Sequence, residues 1–497
     1  MKENPVLLVP LHVGLVYRLK KSSDSLRWIA LLLAVVVGVR LLTLGAYPFF
    51  ATTEPRYAEI ARKMLETQNW VTPWFDHGVP FWGKPPLSFW GSAATMALWG
   101  VDEFGARLAP FLAALATAAL FWAWPVAAPV RRVVPAAAAL VMLSSLVGFV
   151  AAGAVMTDMF MAGGTTLSML GLWRALNDAG RTTGWRWAFF VGLALGFLAK
   201  GPVACVITAV ALGVWLLPAP LVRVSAVWRA LPWGRGLLLA AALTLPWYGL
   251  AEQRTPGFLQ YFLVGEHLQR FLVSGWTGDL YGAGHAEPRG LIWWFAVGGF
   301  LPWTPVAGLA ASLLWRPRPV ASGQDLAPVP ASEWQYLLGW TLAPLLFFTL
   351  ARNILEAYVL PGLPAFALLT ALLLVRAGCT RRWLRPAWGL ALLWPLLGCG
   401  VLWAYPEWMA QRSQKALLQH WTPGTPLVYL AVRPLSANFY SKGQAVLAAS
   451  PADMQRWLDN RQATLVVEQP WLDTLSPQQL VGWRVVARHA GFTMLHR

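Results

Sequence analysis

Between long apolar stretches, the chain carries short clusters of ionisable and aromatic side chains whose make-up suits work on an anion. The densest is Thr53-Glu-Pro-Arg-Tyr-Ala-Glu-Ile-Ala-Arg62, followed by Gly83-Lys-Pro-Pro86. Glu54 brings a carboxylate, Arg56 and Tyr57 bring hydrogen-bond donors, and Pro85 holds Lys84 on extended backbone that projects its ammonium outward. Beside Phe81, Trp82 and Trp90, Lys84 also reads as a snorkelling anchor. Lys200, Arg270 and Arg352 add further cations, and gathered cations suit a phosphate. Asp158 sits in the nearly continuous apolar run Val155-Met-Thr-Asp-Met-Phe160. An acid there faces an interior or aqueous cavity, although Thr157 or Asp158 also reads as a helix N-cap. In Gly265-Glu-His-Leu-Gln-Arg-Phe271, Glu266 and Arg270 stand i,i+4 as a salt-bridge pair, leaving His267 as a lone histidine. A metal role for His267 needs a carboxylate partner.

The elements that position these residues are membrane spans. The 497 residues are 57% hydrophobic and 12% charged with 31 Trp, about half the charge a soluble domain carries. Stretches of ~20 apolar residues recur through the first four-fifths, and Trp suits interfacial belts. The net charge of +17 comes mostly from arginines in short loops, as the positive-inside rule requires, which argues against nucleic acid as a partner. Basic clusters at 18–27, 131–132, 174–186, 223–235, 316–318 and 376–385 mark cytoplasmic loops. Between them lie spans near 28–49, 107–128, 133–152, 158–174, 187–200, 203–218, 236–252, 290–313, 335–350, 358–375 and 387–404. The first span reads as uncleaved. This gives about eleven spans, with the N-terminus inside and the C-terminus outside. The short apolar stretch 87–100 is a re-entrant or interfacial segment, or one more crossing.

All the clusters above then fall on the outer side. Tyr57, Ile60, Ala61, Met64 and Leu65 repeat at helical spacing opposite Arg56, Glu59, Arg62, Lys63 and Glu66, which predicts a helix lying flat on the membrane, apolar face down. Arg40, inside the first span, snorkels or pairs with an acid. Cys205, Cys379 and Cys399 form neither a disulfide frame nor a metal knuckle. Residues 1–405 make the membrane domain. In 406–497, short strands near 426–432, 463–468, 483–488 and 491–496, with a helix from Ser450 to about Asn460, predict a small α/β domain on the outer face. Activated donors outside a cytoplasmic membrane are chiefly lipid-linked, and no Walker loop, dinucleotide fingerprint or Asp-x-Asp pair is present. A cation-lined outer site therefore suits a lipid phosphate or diphosphate leaving group.

The ordered set Thr53 to Arg62, Lys84-Pro-Pro86, Thr157-Asp158, Ala199-Lys-Gly-Pro202, Phe262 with Glu266-His-x-x-Arg-Phe271, and Arg352 with Tyr358-Val-Leu-Pro361 resembles the aminoarabinose transferases of lipid A. These stand with the protein O-mannosyltransferases in the GT-C glycosyltransferase class. The resemblance implies a GT-C fold of about 11–13 helices in a bacterial inner membrane, moving a sugar from a polyprenyl phosphate to lipid A, another glycolipid, a glycan or a protein, with inversion. It further implies that Lys84, Tyr57, Arg270 and Tyr358 hold the donor phosphate. Lys200 and Arg352 add positive field, Arg56 and His267 join the substrate-binding set, and Asp158 and Glu54 are the candidate catalytic acids.

Two positions depart from that family. Thr53-Glu54 stands where it has an Asp-Glu pair, and Gly83 where it has a Glu that, with the histidine matching His267, can bind a divalent metal. Without that carboxylate His267 is a poor cage, so no metal and no other cofactor is expected. Either Glu54 or Asp158 serves as base in place of the missing aspartate, or the acceptor is anionic and needs none. A transporter or lipid flippase is the alternative of another class. It calls for internal repeats and polar residues near the bilayer midplane, whereas the charges here gather at one boundary.

Overall fold

The structure, a computed structural model, describes residues 11–49, 53–126, 130–177, 184–273, 276–282, 287–315, 329–377, 382–460 and 462–497, without the side chains of 11–24, 315 and 382–386. The basic cluster at 316–318, the side chains of Arg18, Lys20 and Lys21, and Cys379 lie outside the described residues.

Helices stand where apolar stretches predict spans. Among the described residues Ser25–Thr43, Glu103–Ala123, Glu356–Arg376 and Ala387–Ala404 are each long and apolar enough to cross a bilayer. Leu291–Gly299 and Trp303–Leu314 qualify as a pair bent by 86°. The other predicted spans are helices as well: Val133–Ser144 with Leu146–Ala151, Asp158–Asn177, Gly184–Lys200, Pro202–Leu216, Trp233–Arg254 and Ala331–Phe348. The 87–100 stretch forms the 13-residue helix Leu87–Trp99. At 1.5 Å per residue it spans about 20 Å, short of the ~30 Å hydrocarbon core. By length it does not cross alone.

One helix pair does most to build the site. Asp158–Asn177 and Gly184–Lys200 run antiparallel through a glycine seam. A Cβ on Gly192 would lie 2.5 Å from the Gly164 carbonyl, and one on Gly171 would lie 2.7 Å from the Phe189 amide. Small residues let the two backbones approach this closely, as membrane helices require. The hairpin brings the first residue of one helix beside the last of the other, so Asp158 meets Lys200. Each also suits its helix dipole, the acid at an N-terminus and the cation at a C-terminus.

The Thr53–Thr67 helix exists, but it does not lie on lipid. Its apolar face packs on Phe81, Phe89, Ala93 and Met96. Its charged face is also covered, with Glu59, Arg62 and Lys63 at 3%, 6% and 0% exposure. Arg62 pairs with Glu59 at 2.6 Å and Glu66 at 2.8 Å, and Lys63 donates to the Phe75 carbonyl at 3.0 Å. The helical periodicity marks a protein-protein seam on both faces. Arg40 differs too: among the described residues its donors go to the Tyr47 hydroxyl at 3.2 Å and the Val150 carbonyl at 3.0 Å, not to an acid.

A two-stranded ribbon, β1 (Trp74–Asp76) and β2 (Val79–Pro80), follows that helix. The C-terminal segment folds on a five-stranded sheet of β3 (Leu427–Leu430), β4 (Ala445–Ala448), β5 (Thr464–Glu468), β6 (Arg484–His489) and β7 (Phe492–His496), in the order β4-β3-β5-β7-β6. β3 runs parallel to β4 and β5, and β7 antiparallel to β5 and β6. β4, four residues after a Gly-Gln turn, carries too short a pattern to stand out in sequence. Ser450 caps the helix Pro451–Leu458 by accepting from the Asp453 amide at 3.1 Å. This segment docks on the first loop: Lys415 and the Tyr440 hydroxyl both reach Glu103, at 2.6 and 2.7 Å, and Arg433 pairs with Asp76.

Candidate active site

Two adjoining cavities open where the Thr53–Thr67 helix, the 81–84 segment, the ends of the helices at Asp158 and Lys200, and residues 266–271 and 279–282 converge. The larger, about 320 Å³, is polar and is lined by Thr53, Arg56, Tyr57, Lys84, Thr157, Asp158, Lys200, Glu266, Arg270, Asp279, Tyr281 and Tyr358, among others. The smaller, about 150 Å³, has an apolar wall of Pro202, Val203, Val206, Phe271, Phe347 and Phe348. Lys84, Lys200, Glu266, Arg270 and Tyr358 line both. The shared wall is thus where an apolar groove meets a charged chamber.

Four cations face three carboxylates here. Lys84 donates to the Gly83 carbonyl at 2.6 Å and to Glu266 at 3.2 Å. Arg270 reaches Glu266 at 2.9 Å and Asp279 at 3.4 Å. Burial opposes ionisation of Glu266, but the charges of Lys84 and Arg270 outweigh it and hold the carboxyl below its usual range. Lys200 pairs with Asp158, and its ammonium lies 4.0 Å from the centroid of the Tyr358 ring. Arg56 completes the set. Its Nε is buried and has no hydrogen-bond partner among the described residues. A buried donor left open marks a place for an acceptor from outside the chain. Burial pushes the Tyr57 phenol well above its usual range, so it remains a neutral donor at neutral pH.

The 260–270 segment owes its aim to backbone geometry. Gln260–Gln269 is a π-helix, the wide form that recurs at functional sites. His267 sits on it with Nδ1 2.7 Å from the Phe262 carbonyl and Nε2 3.1 Å from the Lys200 carbonyl. Both ring nitrogens lie near carbonyl oxygens, and whichever carries the proton donates to one of them, so His267 sits between the Lys200-Gly201 turn and the π-helix. Position 83 is glycine, and no group of three or more His, Cys, Asp or Glu among the described residues is arranged to hold a metal.

Seven of the ten residues singled out in the sequence therefore line the polar cavity: Arg56, Tyr57, Lys84, Asp158, Lys200, Arg270 and Tyr358. His267 borders only the apolar groove. Arg352 is exposed and outside both linings. Glu54 is turned away, with both oxygens held by Arg107 at 2.8 and 2.9 Å. Neither cavity lining includes Glu54. Asp279 and Tyr281 join the lining without a sequence signal. No motif marks them; Asp279 is brought in by pairing with Arg270, and Tyr281 by ring packing on Phe81 and a hydroxyl that bridges the Pro80 carbonyl and Trp82 amide, at 2.8 and 2.9 Å.

Residues 26–262 match the family model of dolichyl-phosphate-mannose-protein mannosyltransferase. The chain is 32% identical over 359 residues to the undecaprenyl phosphate-alpha-4-amino-4-deoxy-L-arabinose arabinosyl transferase of Pseudomonas savastanoi, covering 69% of this chain and 60% of that one. It is 31% identical over 379 residues to a Pseudomonas fluorescens transferase of the same description, covering 71% and 62%. The chain thus spans about three-fifths of the length of the curated relatives it matches. Among solved structures, ArnT from Cupriavidus metallidurans bound to undecaprenyl phosphate superposes with a TM-score of 0.70 at 21% identity, covering 94% of this chain and 97% of that one. That likeness concerns the fold.

Proposed function

This chain has the GT-C fold of a multi-pass membrane protein and is a relative of the aminoarabinosyl transferases, and from that premise we propose that it transfers a sugar from a polyprenyl-phosphate donor to an envelope acceptor. The observation that carries the reading is the wall of Lys84, Lys200, Arg270 and Tyr358 shared by an apolar groove and a polar cavity. A lipid phosphate has that same division, an apolar chain joined to an anion that carries the sugar.

In this reading the first isoprene units lie along Val203, Val206, Phe271 and Phe347. The phosphate meets Lys84 and Arg270, and the sugar projects into the polar cavity toward Asp158 and Arg56. An acceptor oxygen attacks the anomeric carbon from the face opposite the phosphate. The bond from that carbon to the phosphate oxygen breaks, its electron pair leaves on the phosphate, and configuration inverts. Cations fixed before the reaction stabilise the charge that develops on the departing group, and such stabilisation commonly lowers the barrier more than any other effect. The relatives' names point to aminoarabinose as the sugar, and lipid A is the acceptor we favour. The N-terminus is then cytoplasmic, and the cavity and C-terminal sheet face the periplasm.

With Glu54 bound to Arg107, Asp158 is the acid of the predicted pair that faces the cavity. Its carboxylate is already engaged by Lys200, which favours an acceptor that arrives ionised, such as a phosphate, and needs no base. Near-normal transfer by Asp158→Asn supports that second step, whereas loss of about a hundredfold or more restores the base. Mass spectrometry of envelope glycolipids from cells with and without the gene tests the whole reading. A gene-dependent pentosamine on lipid A is expected, and an unchanged glycan profile counts against it.

A further inference from the structure

We propose that Arg107 and Glu54 form a positioning clamp that fixes the acid-bearing turn at Asp158 against the helix carrying Arg56 and Tyr57. The inference rests on the transferase reading for its catalytic consequence, and on geometry for its existence. Arg107 is fully buried, at 0% exposure. Its Nε and Nη2 bind the two oxygens of Glu54 at 2.8 and 2.9 Å. Its remaining donors go to the carbonyls of Leu44 and Tyr47 at 2.7 and 2.8 Å, and of Pro48 at 3.3 Å. A guanidinium has five N–H groups, and here each has an acceptor. Its carbon also lies 3.8 Å from the Tyr47 ring centroid and 4.7 Å from that of Phe49.

The pieces joined in this way are distant in sequence. The 44–48 segment follows the first span, Glu54 stands in the first turn of the Thr53–Thr67 helix, and Arg107 belongs to the helix beginning at Glu103. Glu54 Oε1 also accepts from the Val155 amide at 3.3 Å, at the start of the turn that carries Thr157 and Asp158. One carboxylate therefore holds both sides of the polar cavity. On one side, two and three residues after Glu54, stand Arg56 and Tyr57; on the other, three residues after Val155, stands Asp158. Lys84, Arg270 and the apolar groove make none of these contacts. Loosening the clamp should disturb the register between acceptor side and donor phosphate while leaving the lipid-phosphate groove in place.

Glu54→Gln keeps the shape and removes the charge, and Arg107→Lys keeps the charge and removes the fork. Each variant is purified and reconstituted whole, and three quantities are read: sugar turnover, affinity for polyprenyl phosphate alone, and hydrogen exchange of the 153–158 amides. The clamp predicts kcat reduced about a hundredfold, as an ångström-scale misplacement commonly causes. It also predicts lipid-phosphate affinity within about threefold of wild type, as a groove outside the clamp requires, and faster exchange at Val155. Turnover within threefold of wild type in both variants overturns it. So does a fall in turnover with unchanged 153–158 exchange, since a loosened clamp must free the Val155 amide. If Arg107→Lys does not fold, Glu54→Gln decides alone. If wild type itself transfers no sugar, the transferase reading fails, and unchanged exchange in Glu54→Gln still refutes the clamp.

Discussion

The two ends of the Thr53–Thr67 helix carry similar charges with opposite fates. Toward its C-terminal end, Glu59, Arg62, Lys63 and Glu66 bind one another and Asp76, and the C-terminal segment covers them: a Cβ on Gly443 would lie 2.7 Å from Arg62. At its first turn, Arg56 opens into a cavity with a buried donor that has no partner among the described residues. Saturated charge fixes two parts of the chain together. Unsaturated charge beside an apolar groove awaits an anion. Residue types are similar in both places, and the open donor of Arg56 beside a cavity is what separates them.

The sharpest break of that comparison removes cations from the cavity. Lys84→Ala or Arg270→Ala should lower turnover about 10²–10³-fold, the usual loss when a donor to a developing anion is deleted. Lys63→Ala should instead lower the yield and melting temperature while folded enzyme keeps its specific activity. Equal behaviour of the two classes, measured by transfer assay on purified protein, ends the distinction.

A smaller effect should follow from filling the groove rather than discharging the chamber. Val206→Trp narrows the apolar wall, so the KM for a lipid-linked donor should rise about tenfold with kcat nearly kept, as loss of uniform binding does. A water-soluble short-chain donor should be indifferent to the change.

The smallest concerns the docked C-terminal segment. Burial opposes ionisation of Asp76, but Arg433 and then Lys63 hold its carboxyl below the usual range. A lowered native pKa stabilises the fold above the unfolded value, about 4, and that contribution is lost as pH falls through the native value. Arg433→Ala should therefore lower the melting temperature at pH 7 by about a degree or two, and the difference should shrink below about pH 4. A gap that persists in acid would mean packing, not charge.

Hydropathy and arginine placement were enough to find the helices, because a span needs only ~20 apolar residues in a row. Seven of the ten chosen residues were legible for a related reason: a charge within or beside an apolar run is costly, and it stands out. Beyond the i,i+4 pair of Glu266 and Arg270, what pairs with what was not legible. Asp158 meets Lys200 only because a glycine seam closes the hairpin between them. Glu54 meets Arg107 across 53 positions, although a buried arginine near the start of an apolar helix was itself a signal that could have been followed. Arg352 and His267 show the converse. Residue type and neighbourhood suited a ligand, but Arg352 stands exposed outside both cavities and His267 borders only the apolar groove.

The claim that the shared cation wall transfers a lipid-linked sugar is tested most directly by purified wild-type and Lys84→Ala protein in vesicles, given a radiolabelled polyprenyl-phosphate sugar and lipid A. Wild type should move label to the acceptor and release one polyprenyl phosphate per sugar, with Lys84→Ala slower by about two orders of magnitude. Label that stays on the donor with wild type, or moves at the same rate without Lys84, would contradict it.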